Sequence, residues 1–256
     1  MTKADALRGI KALMFDFYGT VVDMQAGLTR AITPYLAEKG YTENPPTRLV
    51  TWWRRTHFEN SMIDALLHRE HTPYREIGHE ALDYTLQRAG IEHTDQEVRE
   101  LVSRIERLDP FPDVVEALAR VKAHGLRLVI LSNGDPDMLA RGVPHSGTAQ
   151  LWERVISVEE AGSFKPHRDT YAAAARLIGL DPCEILFVAN HAFDCIGAKA
   201  AGMATAFVDR RHRPFGNRRY PPDLIVTDFT ELTEVVLRRA APPRTRGGGV
   251  GGAGLQ

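Results

Sequence analysis

Met14-Phe15-Asp16-Phe17-Tyr18-Gly19-Thr20 puts a carboxylate at the end of an apolar run and a glycine turn directly after it. A short, continuous apolar run such as Leu13 to Phe15 suits a strand buried on both faces. Ligands of open parallel sheets bind beyond the carboxyl ends of the strands, so Asp16 is a candidate nucleophile. The residue two positions on narrows its target. A second carboxylate there would suit a Mg²⁺-dependent phosphate site, and the chain has Tyr18 instead.

The same pattern recurs along the chain, with apolar runs at Leu126 to Leu131, Val155 to Val158, Ile185 to Val188 and Ala204 to Val208. Helical patterns lie between them. Asp113 to His124 sets Val114, Leu118 and Val121 on one face, with Gly125 available as a left-handed C-terminal cap. Tyr171 to Ile178 is alanine-rich and is stopped by Gly179. Strand alternating with helix predicts an α/β fold with a doubly wound parallel sheet.

From Gln25 to Leu108 the strand signal vanishes and helical periodicity takes over. Pro45-Pro46 precede a helix expected from Thr47 to about His68, and Thr94 with Glu97 forms a capping-box pattern for a helix toward Arg107. Asp109-Pro110-Phe111-Pro112 marks the return to the sheet. The expected organisation is a core of residues 1–24 and 109–237 carrying an all-helical cap of residues 25–108. Beyond Leu237 the composition turns to Ala, Pro, Arg and Gly, so 238–256 reads as a disordered tail.

With 32 basic against 33 acidic residues, no net charge draws the chain to nucleic acid or to an anionic membrane. At 256 residues and 43% hydrophobic content it can bury a substantial core. The N-terminal apolar run is too short for a signal or a membrane span, and two cysteines, Cys183 and Cys195, do not make a disulfide framework. These features are those of a cytoplasmic protein with a small ligand. The basic run Arg210-Arg211-His212-Arg213 with Arg218-Arg219 reads as a solvated loop, with a binding patch or subunit contact as the sharper alternative.

The groups that follow the apolar runs form a coherent set: Asp16, then Ser132-Asn133-Gly134, then Lys165-Pro166, then Asn190-His191-Ala192-Phe193-Asp194. A lysine beside Asp16 favours the ionised carboxylate, and no acidic partner for a metal precedes Asp194 in its segment. No metal and no cofactor are expected. His191 and Cys195, four apart, are too few ligands for zinc.

Asp16 to Thr20, Leu131-Ser132-Asn133-Gly134, Phe164-Lys165-Pro166 and the late Asp194 resemble the four motifs of the haloacid dehalogenase superfamily. Within it the chain is most similar to the type II (S)-2-haloacid dehalogenases, over roughly residues 11 to 230. The branch is suggested by Tyr-Gly-Thr after the nucleophile, Ser157-Val158-Glu159-Glu160 ahead of the lysine, and Phe193-Asp194 leading into Gly197-Ala198-Lys199. The resemblance implies a Rossmann-like core with a helical cap, and hydrolysis of a small anionic 2-haloacid by water. Asp16 displaces the halide, and water then attacks the Asp16 carbonyl to release an inverted 2-hydroxy acid. It also implies a homodimer.

Carried over residue by residue, the resemblance makes Arg54, after Trp53 in the first cap helix, the halide acceptor, while Arg55 points elsewhere. Ser132 and backbone N–H groups near Phe17 and Asn133 would take the substrate carboxylate. Tyr18, Phe58 and Phe193 either wall the pocket or pack the core, and Asn190 belongs to the binding set. Thr20 is a supporting residue, and Tyr171 is either a supporting tyrosine or a buried helix residue. Lys165 and Asp194 are catalytic, Asp194 orienting the lysine or the water. The chain departs from the pattern at Ala189 and His191, where serine and asparagine are usual. His191 would position or deprotonate the hydrolytic water, or it is a structural histidine. The alternatives are a Mg²⁺-dependent phosphatase of the same fold and a silent binding protein.

Overall fold

The structure is a computed structural model and describes residues 7–67 and 71–240. Six strands, β1 (Ala12–Phe15), β2 (Arg127–Ser132), β3 (Arg154–Ser157), β4 (Ile185–Ala189), β5 (Ala204–Val208) and β6 (Leu224–Val226), form one sheet in the order β3-β2-β1-β4-β5-β6. Every neighbouring pair is parallel. All four side chains of β1 are fully buried, as a central strand between two others requires. Its leucine, methionine and phenylalanine each contribute about 1.5–3 kcal/mol by leaving water. The chain winds outward from β1 to β3, then crosses back to β4, so the strand order reverses beside β1. The crevice beyond Asp16 is the topological switch point.

The first crossover is the helical stretch: α1 (Met24–Glu38), α2 (Pro46–Leu67), α3 (Tyr74–Arg88) and α4 (Asp95–Ser103). Asp23 caps α1 by accepting from the Ala26 N–H. At α4 the capping box forms as expected, with Glu97 N–H donating to Thr94 Oγ1 and Thr94 N–H donating to Glu97 Oε2. That helix stops at Ser103, and a 3₁₀ turn over Arg104–Glu106 replaces its last part. The helix expected to end near His68 is described only to Leu67, since His68 lies outside the described residues. The two strands of chain joining sheet and helices are tied side by side: Asp23 N–H donates to Asp109 O and Phe111 N–H to Val21 O.

The remaining helices, α5 (Val114–Ala123), α6 (Pro136–His145), α7 (Arg168–Leu177), α8 (Ala192–Ala200) and α9 (Phe229–Ala240), follow or separate the later strands. Gly125, at φ 82°, closes α5 in the left-handed conformation expected of it. Strand β6 and helix α9 were not foreseen. Three residues with alternating burial make too short a pattern to read, and an edge strand needs only one neighbour. Helix α9 also runs three residues past Leu237, into the stretch that composition assigns to a tail; residues 241–256 lie outside the described residues.

Candidate active site

Beyond β1 the backbone turns so tightly that Phe17 O accepts from the N–H groups of both Val21 and Val22, while Gly19 N–H donates to Val22 O. Gly19 stands at φ 89°, and a Cβ there would come within 3.0 Å of His191 Cε1 and 3.1 Å of Arg54 Nη2. Glycine is required both for the backbone conformation and because a residue of α2 and one just before α8 converge over it.

Asp16 is only 6% exposed, and its two oxygens are held by three donors. Lys165 Nζ donates to Oδ1 at 2.8 Å, and the Thr20 hydroxyl donates to Oδ2 at 2.7 Å. His191 Nδ1 lies 3.3 Å from Oδ2, a donor in the tautomer with its proton on Nδ1. The Thr20 oxygen in turn accepts from Asn190 N–H, and the Asn190 side chain donates to Gly19 O, so β4 fixes the loop after β1.

Lys165 is buried and spends all three protons: on Asp16 Oδ1, on Asp194 Oδ2 at 2.8 Å and on Leu131 O at 3.0 Å. Tyr171 donates to the other oxygen of Asp194 at 2.5 Å, and Asn133 Oδ1 accepts from the Lys165 N–H. Burial pushes the Asp16 carboxyl up, but the Lys165 charge and the His191 contact outweigh it and hold it well below the usual carboxylate range. Burial pulls Lys165 down, and its two carboxylates more than reverse this. Asp194 is raised, by burial and by the Asp16 charge beyond the lysine. The result is an ionised Asp16 beside a fixed cation. Among the described residues no three His, Cys, Asp or Glu side chains gather where they could hold a metal.

Above these groups lies a cavity of about 760 Å³ between the strand ends and the first two helices. Asp16, Tyr18, Asn133, Lys165, Asn190 and His191 reach it from the core, and Arg54, Phe58 and Tyr74 from the helices. Arg54 Nη1 donates to Gln25 Oε1 at 2.8 Å, and the Gln25 amide donates to Thr47 O. Burial, with Arg211 nearby, pulls the Arg54 guanidinium down to about 10. Phe58 stacks on Phe193 with centroids 4.0 Å apart, and Tyr18 lies parallel to Tyr74 at 5.9 Å. The aromatics therefore wall the cavity.

Not every expected residue reaches it. Ser132 is fully buried, and its Oγ accepts from Gly134 N–H rather than facing the cavity. The Phe17 ring is buried edge-on to Tyr18, and Thr20, Tyr171 and Asp194 act from behind Asp16 and Lys165. Arg55, expected to point elsewhere, lies on the cavity rim, exposed. The solvated-loop reading of the basic run fails at Arg210. Its guanidinium donates to Thr20 O and Asp113 and lies 3.8 Å from the Phe111 ring centroid. Gln25 and Tyr74 had no sequence signal, because each matters through a partner distant in the chain.

The model of the haloacid dehalogenase-like hydrolases matches residues 10–202. An (S)-2-haloacid dehalogenase of Xanthobacter autotrophicus is 36% identical over 201 residues, 78% of this chain and 76% of that one. Haloacetate dehalogenase H-2 of Moraxella sp. (strain B) is 30% identical over 230 residues, 90% of this chain and 99% of that one. The structure of the L-2-haloacid dehalogenase from Xanthobacter autotrophicus with chloropropionic acid covalently bound superimposes with a TM-score of 0.78 at 31% identity, covering 89% of this chain and 98% of that chain.

Proposed function

Because the chain belongs to the haloacid dehalogenase-like hydrolase family, we propose that it hydrolyses short 2-haloalkanoic acids to 2-hydroxy acids and halide through an aspartyl ester. The observation that carries this is Asp16 itself: ionised, oriented by Lys165 and Thr20, and open on one edge to a cavity that holds an arginine.

In the first step an Asp16 oxygen attacks C2 of the haloacid opposite the halogen. The new C–O bond forms as the carbon–halogen bond breaks, and the halide leaves with both electrons toward Arg54. In the second step water attacks Cγ of Asp16, and the bond from Cγ to the ester oxygen breaks. His191, at the edge of Asp16, accepts one proton of that water and passes it to the departing alkoxide oxygen, and the second water proton is lost to solvent as Asp16 returns to its carboxylate. The carbon centre inverts once, so an (S)-substrate gives an (R)-hydroxy acid. Asp16 keeps one oxygen from water at each turnover.

Lys165 and Asp194 position the nucleophile in this reading, with Tyr171 behind Asp194, and Asn190 and Thr20 fix the loop. With the Ser132 hydroxyl turned inward, the N–H groups of the loops at Phe17 and Asn133 take the substrate carboxylate, and Tyr18, Phe58 and Phe193 enclose the alkyl group. Residues 1–24 and 109–237 act as catalytic core and 25–108 as cap. The enzyme needs no cofactor, partners neither nucleic acid nor membrane, and works in the cytoplasm as a homodimer. Two free thiols agree with that location, and no helix among the described residues is long and apolar enough to cross a membrane.

Incubation with chloroacetate and each enantiomer of 2-chloropropionate in EDTA, with halide and product chirality measured, tests the reading. Halide release with inversion is expected. A Mg²⁺ requirement together with turnover of phosphate monoesters would overturn it. A single turnover in H₂¹⁸O should label Asp16 and leave the first product unlabelled.

A further inference from the structure

The charge of the cavity exceeds what a simple haloacid needs. Six cations line it, Arg54, Arg55, Lys165, Arg210, Arg211 and Arg213, against the two carboxylates Asp16 and Asp23. The lining carries an excess of four positive charges, although the whole chain has a net charge of −1. Lys165 is used up by Asp16 and Asp194, and the Arg210 charge is paired with Asp113 while its Nε donates to Thr20 O, leaving only its buried Nη2 without a partner. Arg55, Arg211 and Arg213 are different: their guanidiniums make no hydrogen bond or ion pair among the described residues, and all three are exposed at the mouth.

Arg210 gives this group a fixed base. Its side chain is 8% exposed, stacks against Phe111 and Phe229, and binds the carbonyl of Thr20, in the loop that carries the nucleophile. The residue that follows it, Arg211, is therefore anchored to the same floor as Asp16. Burial and the Arg211 charge lower the Arg54 guanidinium, and burial and the Arg213 charge lower Arg211, with Asp23 offsetting part of the effect on both, so positive charge runs from Arg54 through Arg211 to Arg213. Size points the same way. A cavity of about 760 Å³ is in the range that holds drug-sized ligands, far larger than a haloacetate.

Building on the dehalogenase reading, we propose that the preferred substrates are 2-haloacids with a second carboxylate at the far end of the chain, held by Arg211 and Arg213 at the cavity mouth. The 2-halo dicarboxylate lies with its halogen at Arg54 and its distal carboxylate among unpaired guanidiniums, where bidentate pairing is available. Its second negative charge also offsets part of the excess that a monoacid leaves.

The test compares kcat/KM for 2-chlorosuccinate, 2-chloroglutarate and 2-chloroadipate with that for monoacids of equal carbon number and for the distal methyl esters. At least one diacid should exceed its monoacid and its ester by about tenfold, the effect of one charge-assisted contact. Arg211→Gln and Arg213→Gln should each shrink that ratio several-fold, and the double variant should erase it. Monoacids matching or exceeding diacids at every length would overturn the proposal. So would an equal loss on both series that disappears at high salt, which would mean that these arginines only steer anions toward the site. No halide from any diacid or monoacid, chloroacetate and 2-chloropropionate included, would overturn the dehalogenase reading itself.

Discussion

In the sheet half of the molecule each reacting group is held by several short bonds, whereas in the helical half Arg54 has a single side-chain partner. Asp16 has three donors and Lys165 three acceptors. Arg54 donates to Gln25, itself the second residue of α1, and otherwise faces the cavity. The carboxylate of Asp16, only 6% exposed, is thus oriented by the protein's own donors. The helices bring a cation, lowered by burial, that lines the cavity with one side-chain partner, and in the proposed reaction it meets the leaving anion. In the proposed reaction, orientation is built where bonds to carbon form, and unpaired charge is kept where halide departs.

The largest expected effect lies on the core side. Asp16→Asn should lower halide release by about 10⁴-fold or more, since it removes the attacking group. Substantial residual turnover in a halide assay would break the covalent route. Lys165→Met comes next and acts on folding as well, leaving two buried carboxylates without their cation. A loss of about 3–5 kcal/mol in urea unfolding is expected. A stable Lys165→Met protein would show that the network does not organise the core.

Across the cavity, Arg54→Met should reduce kcat by about 10²–10³-fold, the scale for losing one donor to a developing charge. Its thermal midpoint should hardly move, because the side chain removed is a desolvated charge with one partner. A large drop in stability would mean that the two halves are held alike.

The two halves should also respond differently to acid. Burial lowers His57, in α2, to about 3, and its Nε2 pairs with Tyr74 O. Between the unfolded value near 6.5 and about 3 the unfolded chain binds the extra proton. The stability from this group is full above 6.5 and is lost as pH falls, at about 1.4 kcal/mol per pH unit. Asp16 is depressed, so its contribution is full above the unfolded carboxylate value near 3.9 and is lost only below it. Amides of α2 and α3 should therefore lose hydrogen-exchange protection first on acidification, and His57→Gln should flatten the slope. Equal slopes in both proteins would rule this out.

The smallest effect belongs to Gln25→Leu, which leaves Arg54 without its tether. A fall of about fivefold to tenfold in kcat is expected, about 1–1.4 kcal/mol, with Gln25→Glu restoring part of it. No change in kcat would leave Gln25 a surface residue.

Much of the core site was legible because each group follows a strand. Asp16, Asn133 and Asn190 come directly after apolar runs, and parallel strands present their carboxyl ends on one side. Lys165 and Asp194 were legible from their motifs, and the structure joins them through one ammonium. The helical side was harder. Trp53-Arg54 could be placed only by resemblance, and Tyr74 and Gln25 carry no local signal. Ser132 shows the opposite limit: it ends β2 as the apolar run predicts, but its Oγ accepts from Gly134 N–H and it does not line the cavity.

The sequence by itself determined the alternation of strands and helices, the helical interruption between Gln25 and Leu108, and the acid at the first strand end. Those follow from periodicity and turn chemistry, which act over a few residues. Tertiary structure alone decided that Gln25 tethers Arg54 and that Arg210 props the Thr20 loop from 190 residues away. It also decided that a cluster of unpaired arginines shares a cavity with the nucleophile. A hydrogen bond or a shared field depends on the distance between elements, and that distance exists only once the elements have packed.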